Sequence, residues 1–317
     1  MRVVFIGTGE IGLPVLHSLG KSAAHQLVGV VTQPDKPVGR DQRIKSPPIK
    51  AALAGSALPI LQPKRIRDSE AITQIRELRP DVIVVMAYGQ ILPRAVLEIP
   101  AIACLNLHAS LLPKHRGAAP IQAAILAGDH ESGITVMYMD EGLDTGDLLL
   151  ARRLAIAPNE TGGSLQDRLA EIAPEALTAA LDALQSGSPP RTPQENATVT
   201  YAPKLERDHG RIEWADSAEM IERKIRAFNP WPGSYAVLRD EGGVEVKLKI
   251  FAATLADVSA KLGELLVREN SVIIGAREGG LRLDEVQLEG KKRMPAADLL
   301  RGHEWLRTAT IARAARA

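Results

Sequence analysis

The chain has 317 residues, 45% of them hydrophobic and 24% charged, with a formal net charge of +1 at pH 7. That length exceeds what one hydrophobic core usually serves, so two domains are expected, and the composition excludes a disordered or fibrous chain. The near-neutral charge excludes a protein that is basic throughout, so any nucleic-acid surface has to be local.

The start, MRVVFIGTGEIG, reads as a strand and a turn rather than a signal peptide, and no apolar run approaches the length of a membrane span. The single cysteine, Cys104, sits in an apolar run, leaves no intramolecular disulfide and agrees with a reducing compartment. No zinc framework exists, and a soluble cytoplasmic protein is expected.

Taken in chain order, RVVFI is a short strand, GLPVLHSLG a helix and QLVGVVT a second strand. PPIKAALAG and SEAITQIREL read as helices with LPIL as a short strand between them, and DVIVVMA is uniformly apolar, as in a sheet covered on both faces. IACLNL follows as a strand, GAAPIQAAILAG opens a helix, and GITVMYM pairs with DLLLARRLAI as a hairpin. This alternation predicts a parallel sheet with helices on its faces. Leu165, Leu169, Ile172, Leu177, Ala180, Leu181 and Leu184 have helical spacing. Ser164 and Asp167 suit the start of that helix, and Pro174 is expected to kink or divide it.

From Ser186 to Lys204, Pro, Ser and Thr replace periodic apolar residues, the composition of a linker. Beyond it, WADSAEMIERKIRAFNP reads as one helix. SYAVLR, VEVKLKIFAA, GELLVR, SVIIGAR and GLRLDEVQL then form short strands that suit a small barrel. The expected organisation is a domain over 1–189, a linker over 190–206 and a second domain over 207–317.

Two constellations carry chemistry. Gly7, Gly9 and Gly12 form a GxGxxG after a strand, with Asp35 near the end of the second strand, which is the pattern of a dinucleotide site and makes a nicotinamide-dependent oxidoreductase one alternative. The other begins at Asn106 and His108, two apart in a strand and so on one face. An amide that donates to a developing oxyanion beside an imidazole that moves a proton suits addition to a carbonyl carbon, and neither group is a nucleophile. Asp144, between Gly142 and Gly146, is the candidate to fix the charge and orientation of the imidazole.

Together NLHASLLP, RGAAPIQ and GLDTGDLL resemble the folate-dependent formyltransferases over residues from near Met1 to about Gly302. The second half, with YAPKLERDHGRIEW and IRAFNPWPGSYAVL, is most similar to the members that act on tRNA. The resemblance implies a Rossmann-like formyltransferase domain followed by an OB-like, tRNA-binding β-barrel domain. It implies 10-formyltetrahydrofolate as co-substrate, no metal, methionyl-initiator tRNA as acceptor, and a monomer. Asn106, His108 and Asp144 are then the catalytic residues, and Ser110, Leu111, Leu112, Pro113, Met86, Tyr88, Gly89 and Leu92 line the folate site. The alternatives are formyl transfer to a ribonucleotide amine or an amino sugar, and an RNA-binding module without turnover. By the same resemblance, the loop from Gln33 to Pro48 reaches the tRNA, with Arg40 the matched arginine, Arg43 and Lys45 beside it, and Lys204 further on. Asp41 and Gln42 depart from the family's more basic loop, and the loop is expected to be mobile when free.

Overall fold

A computed structural model describes residues 1–38, 41–187, 189–258 and 260–312. The chain divides into two compact units. The first comprises Met1–Pro120, Glu131–Ala155 and Gln166–Pro203, and the second comprises Ile121–His130, Ile156–Leu165 and the chain from Lys204 onward.

In chain order the first elements are β1 (Arg2–Gly7), α1 (Leu13–Lys21), β2 (Gln26–Val31), the short pair β3 (Lys36–Val38) and β4 (Arg43–Lys45), α2 (Pro48–Ala52), β5 (Ile60–Leu61), α3 (Ser69–Glu77), β6 (Val82–Met86), α4 (Arg94–Leu97) and β7 (Ala103–His108). There follow β8 (Arg116–Gly117), α5 (Pro120–Ala127), β9 (Glu131–Tyr138), β10 (Leu148–Ala155), α6 (Gly162–Gln185) and β11 (Tyr201–Ala202). One seven-stranded sheet runs in the order β10-β9-β7-β6-β1-β2-β5. Its pairings from β5 to β7 are parallel, whereas β9 and β10 are antiparallel, so the sheet is mixed rather than wholly parallel. The connection between β9 and β10 is too short for a crossover helix and can only reverse the chain, so β10 runs opposite to β9. The central strand β6, VIVVM, is buried along its whole length. Covering both faces of such a strand with helices removes every one of its apolar side chains from water, each burial worth about 1.5–3 kcal/mol.

Several local readings are corrected by distant partners. The segment before α5 was expected to enter the helix directly, yet Arg116 and Gly117 form a strand paired with Tyr201 and Ala202. The loop after β2 is shaped into the β3–β4 hairpin, in register Lys36↔Lys45, Pro37↔Ile44 and Val38↔Arg43. Pro174 neither ends nor divides α6, which is continuous from Gly162 to Gln185. Leu165, Leu169, Ala173, Leu177 and Leu181 are all buried, so one apolar stripe fixes the helix on both sides of the proline. That helix also starts earlier than Ser164 and Asp167 indicate. Ser164 receives the Thr161 amide and Thr161 receives the Ser164 amide, a reciprocal cap at the first turn.

The segment read as a linker is stitched to the first unit as far as Pro203. Thr192 exchanges two backbone hydrogen bonds with Leu148, and Thr200 accepts the Arg116 amide at 2.9 Å.

In the second unit, α7 (Ala218–Ala227) begins four residues later than Trp214, because Ser217 caps it by accepting the Met220 amide at 3.2 Å. Its apolar face, Ile221 and Ile225, joins a core with Leu238, Ile250, Ile274, Leu283 and Val286. The strands β12 (Ser234–Arg239), β13 (Glu245–Ala256), β14 (Leu265–Arg268), β15 (Ser271–Gly275), β16 (Gly280–Leu288), β17 (Met294–Pro295) and β18 (Thr310–Ile311), with the helix α8 (Ala296–Gly302), complete it. Every pairing is antiparallel, in the order β14-β15-β16-β13-β12-β18 with β17 on β16. This is the nearly closed, OB-like barrel that the short strands and glycine turns indicate.

Candidate active site

At the carboxyl end of β7 the strand delivers Asn106 and His108 to one face, and the turn between β9 and β10 brings Asp144 against both. Asn106 Nδ2 donates to Asp144 Oδ1 at 3.2 Å. Asp144 Oδ2 accepts the Gly117 amide at 2.8 Å and lies 3.6 Å from His108 Nδ1. His108 Nε2 sits 2.9 Å from the His115 carbonyl oxygen. A carbonyl only accepts, so Nε2 carries the proton and Nδ1 is the nitrogen left for exchange. The His115 carbonyl thus holds one nitrogen of the imidazole, and Asp144, the group expected to fix its charge and orientation, stands beside the other. At 3.6 Å the carboxylate acts on His108 by charge rather than through a hydrogen bond.

The supports of these groups are themselves buried. His108, His115 and Arg116 are each at most 6% exposed. Gly117 has φ 124°, and a Cβ there would meet the Ala202 carbonyl oxygen at 2.5 Å, so only glycine lets β8 lie this close to β11. Asp144 has φ 54°, a left-handed conformation that a non-glycine residue keeps only where its surroundings hold it. Two residues on, a Cβ at Gly146 would clash with the Tyr138 carbonyl.

A cavity of about 300 Å³ opens beside this turn, lined by Leu97, Ile102, Cys104, Met139, Asp140 and Thr145 among others. Cys104 shares a strand face with Asn106, two residues away. Burial pushes its thiol up to about 12, so it is an apolar wall there. At the rim, the Arg191 guanidinium lies 3.9 Å from the centre of the Tyr138 ring. Sequence reasoning missed Leu97, Ile102, Cys104, Met139, Asp140 and Thr145. The signal available was Cys104, at the same strand spacing that pairs Asn106 with His108.

The residues expected to line the folate site divide by exposure. Met86, Tyr88, Leu92 and Leu112 are buried, and Tyr88 belongs to the hydrophobic core with Ile83 and Val96. Burial alone raises the Tyr88 hydroxyl to about 12. Gly89 is exposed in the left-handed region, φ 84°. Ser110 is fully buried, and its hydroxyl donates to the Lys114 carbonyl at 2.7 Å, while Leu111 and Pro113 keep partial exposure. Gly89, Leu111 and Pro113 are therefore the members of that set with surface open to solvent.

Of the residues expected to meet tRNA, Arg40 lies outside the described residues. Arg43, with a side chain 81% exposed, and Lys45 stand on β4, with Asp41 at 3.9 Å from the Arg43 guanidinium. Lys204 is exposed in the second unit. The glycine turn does not fit a dinucleotide. The amides of Thr8 and Gly9 both donate to the Ala87 carbonyl, so they are not presented to a pyrophosphate. Asp35 accepts from Gln62 at 2.8 Å and pairs with Lys50 at 2.8 Å, contacts that lower its pKa, with Gln62 the larger cause. It ties the base of the hairpin to α2 and is not free for a ribose. Among the described residues no group of histidine, cysteine and carboxylate side chains is arranged to hold a metal ion, and no helix is long and apolar enough to cross a membrane.

A Rossmann-like sheet with an amide, an imidazole and a carboxylate at one strand end defines a class, and the chain belongs to the formyl transferase family. The family's model matches residues 1–181, and the model of its C-terminal domain matches 204–304. Relatives that it matches over nearly full length include methionyl-tRNA formyltransferases. That of Geobacter metallireducens is 43% identical, covering 95% of this chain and 96% of the relative, and that of Methylacidiphilum infernorum is 45% identical, covering 95% of each. Among solved structures, a sugar 3N-formyl transferase, WlaRD, matches with TM-score 0.65 at 19% identity, covering 92% of this chain and 99% of that one. HypX from Aquifex aeolicus in complex with tetrahydrofolic acid matches with TM-score 0.62 at 20% identity, covering 95% of this chain and 47% of that one.

Proposed function

We propose that this chain transfers the formyl group of 10-formyltetrahydrofolate to the free amino group of methionyl-initiator tRNA. The observation that carries the chemistry is the Asn106–His108–Asp144 cluster with its adjoining cavity, and the full-length relatives carry the choice of acceptor.

The amine attacks the formyl carbon, and the carbonyl oxygen becomes negative while the nitrogen becomes positive. Asn106 spends one N–H of its amide on Asp144 and keeps the other for that oxygen. His108 Nδ1, with Asp144 Oδ2 3.6 Å away, is the site that exchanges a proton as the folate nitrogen departs. The carboxylate balances the charge of the imidazolium during that exchange. Formyl transfer needs no nucleophile from the protein, because the amine supplies it and the folate delivers an activated carbonyl. We place the folate ring in the cavity walled by Leu97, Cys104 and Met139, whose apolar sides suit a flat heterocycle and whose Asp140 and backbone suit its polar edge. We assign tRNA contacts to the β3–β4 hairpin, through Arg43 and Lys45, and to the barrel of the second unit with Lys204 before it.

The test is turnover with 10-formyltetrahydrofolate and three acceptors: methionyl-tRNA, glycinamide ribonucleotide and an amino sugar. Only methionyl-tRNA is formylated if the proposal holds. Turnover confined to either of the other two would replace it.

A further inference from the structure

We propose that Gln194 is a positioning residue for formyl transfer: it holds Asp144 in its left-handed conformation and thereby places the carboxylate between Asn106 and His108. The inference rests on the formyl-transfer reading for its kinetic consequences, but the placement itself is measurable without turnover.

Gln194 lies outside both matched family models, which end at 181 and begin at 204. It stands in the Pro- and Thr-rich segment whose composition reads as a tether. Its side-chain amide donates to the Asp144 carbonyl at 2.9 Å and to the Gly146 carbonyl at 2.8 Å, spanning the turn on both sides of Thr145. Its oxygen accepts from Arg116 Nε at 3.1 Å and Nη2 at 2.7 Å. This orientation is dictated chemically, since a guanidinium only donates and a backbone carbonyl only accepts.

Arg116 is 4% exposed, so the amide is anchored to a buried group rather than to a mobile surface side chain. The next residue, Gly117, supplies the amide that Asp144 Oδ2 accepts. One strand, β8, therefore holds the turn twice: through Gln194 on the backbone of Asp144, and directly on its carboxylate. A left-handed aspartate persists only where such surroundings fix it. The double bridge between Thr192 and Leu148 keeps the segment in reach.

Gln194→Glu separates the two functions of the side chain. A carboxylate keeps the bonds from Arg116, now strengthened by charge, but points an oxygen at two carbonyls that have no proton to give. We expect Q194E to fold, to lose at least tenfold in kcat, and to raise the KM for folate because Thr145 and Gly146 border the cavity. Its KM for methionyl-tRNA stays unchanged. Hydrogen exchange at the Gly117 amide quickens at least tenfold, because its acceptor is no longer held. Gln194→Ala gives the same kinetic signature with a lower melting temperature, since Arg116 also loses its partner. Wild-type exchange at Gly117, or wild-type kcat and folate KM in Q194E, overturns the inference. Unfolding of Q194E also overturns it, by making Gln194 a residue of stability alone. If the unmodified protein does not formylate methionyl-tRNA, the functional reading fails instead, and the exchange rate of Gly117 still decides the role of Gln194.

Discussion

The end of β7 and the β3–β4 hairpin face opposite physical demands. At the end of β7, Asn106, His108 and Asp144 are held by one another and by the His115 carbonyl and the Gly117 amide, and the side chains of His108 and Asp144 are 6% and 13% exposed. On the hairpin the side chains of Arg43 and Asp41 are 81% and 74% exposed, and their ion pair at 3.9 Å stands in water, where such pairs are worth little. Stabilising a transient charge requires donors fixed before the reaction, because reorganising them would consume the gain. Meeting a polyanion requires only reach and charge, which an exposed strand pair supplies. Substitutions should therefore act on turnover at the first region and on tRNA affinity at the second.

The largest effect should come from Asn106→Ala and His108→Ala. Each is expected to fold and to lose roughly 100-fold or more in kcat, the range seen when an oxyanion donor or an acid–base group is removed. Single-turnover formylation at saturating folate and tRNA measures it, and a near-normal rate removes that residue from the mechanism. Asp144→Asn should be next. An asparagine there cannot accept from both Asn106 and the Gly117 amide, so a donor meets a donor. That mismatch costs about 1–3 kcal/mol, or roughly 5- to 150-fold in rate.

A smaller, different effect should follow at the hairpin. Arg43→Ala with Lys45→Ala is expected to raise the KM for methionyl-tRNA several-fold at low salt and much less at high salt, with the folate KM unmoved. Kinetics with each substrate varied at two ionic strengths check this. A loss that is equal for both substrates would erase the contrast between the regions.

The smallest effect concerns Cys104. Burial raises its thiol from 9.0 to about 12, so the folded chain keeps a proton that the unfolded chain releases. The sign follows: this contribution to stability is complete below about pH 9 and is lost as pH rises from there toward 12. Chemical denaturation across that range should show the decline, and Cys104→Ala should flatten it. In the native state the thiol should resist alkylation at pH 8, and rapid labelling would show that the cavity wall opens.

Much of the first sheet was legible because its signals are local. An uninterrupted apolar run such as VIVVM has few folded destinations other than a covered strand, and the two-residue spacing of Asn106 and His108 dictates a shared face wherever a strand forms. The short strands after Lys204, separated by glycine turns, likewise marked a barrel. Hydrophobic periodicity failed where a distant partner overrode it. Arg116 and Gly117 became a strand only because Tyr201 and Ala202 lie beside them, and α6 continued through Pro174 because buried leucines on both sides fix it to a core.

Residue identity by itself determined which groups were available for chemistry: an amide, an imidazole and a carboxylate, with no nucleophile among them. Only the tertiary structure decided how they are held. The proton of His108 was assigned to Nε2 by a carbonyl that no sequence pattern announces, and the cavity walls came from α4, β7 and the loop after β9 together. The left-handed turn at Asp144 was secured by Gln194, fifty residues further along the chain. Spacing within a strand or helix is a short-range property that the sequence carries directly. A hydrogen bond across such a separation depends on where the whole chain returns, which burial of the entire core determines.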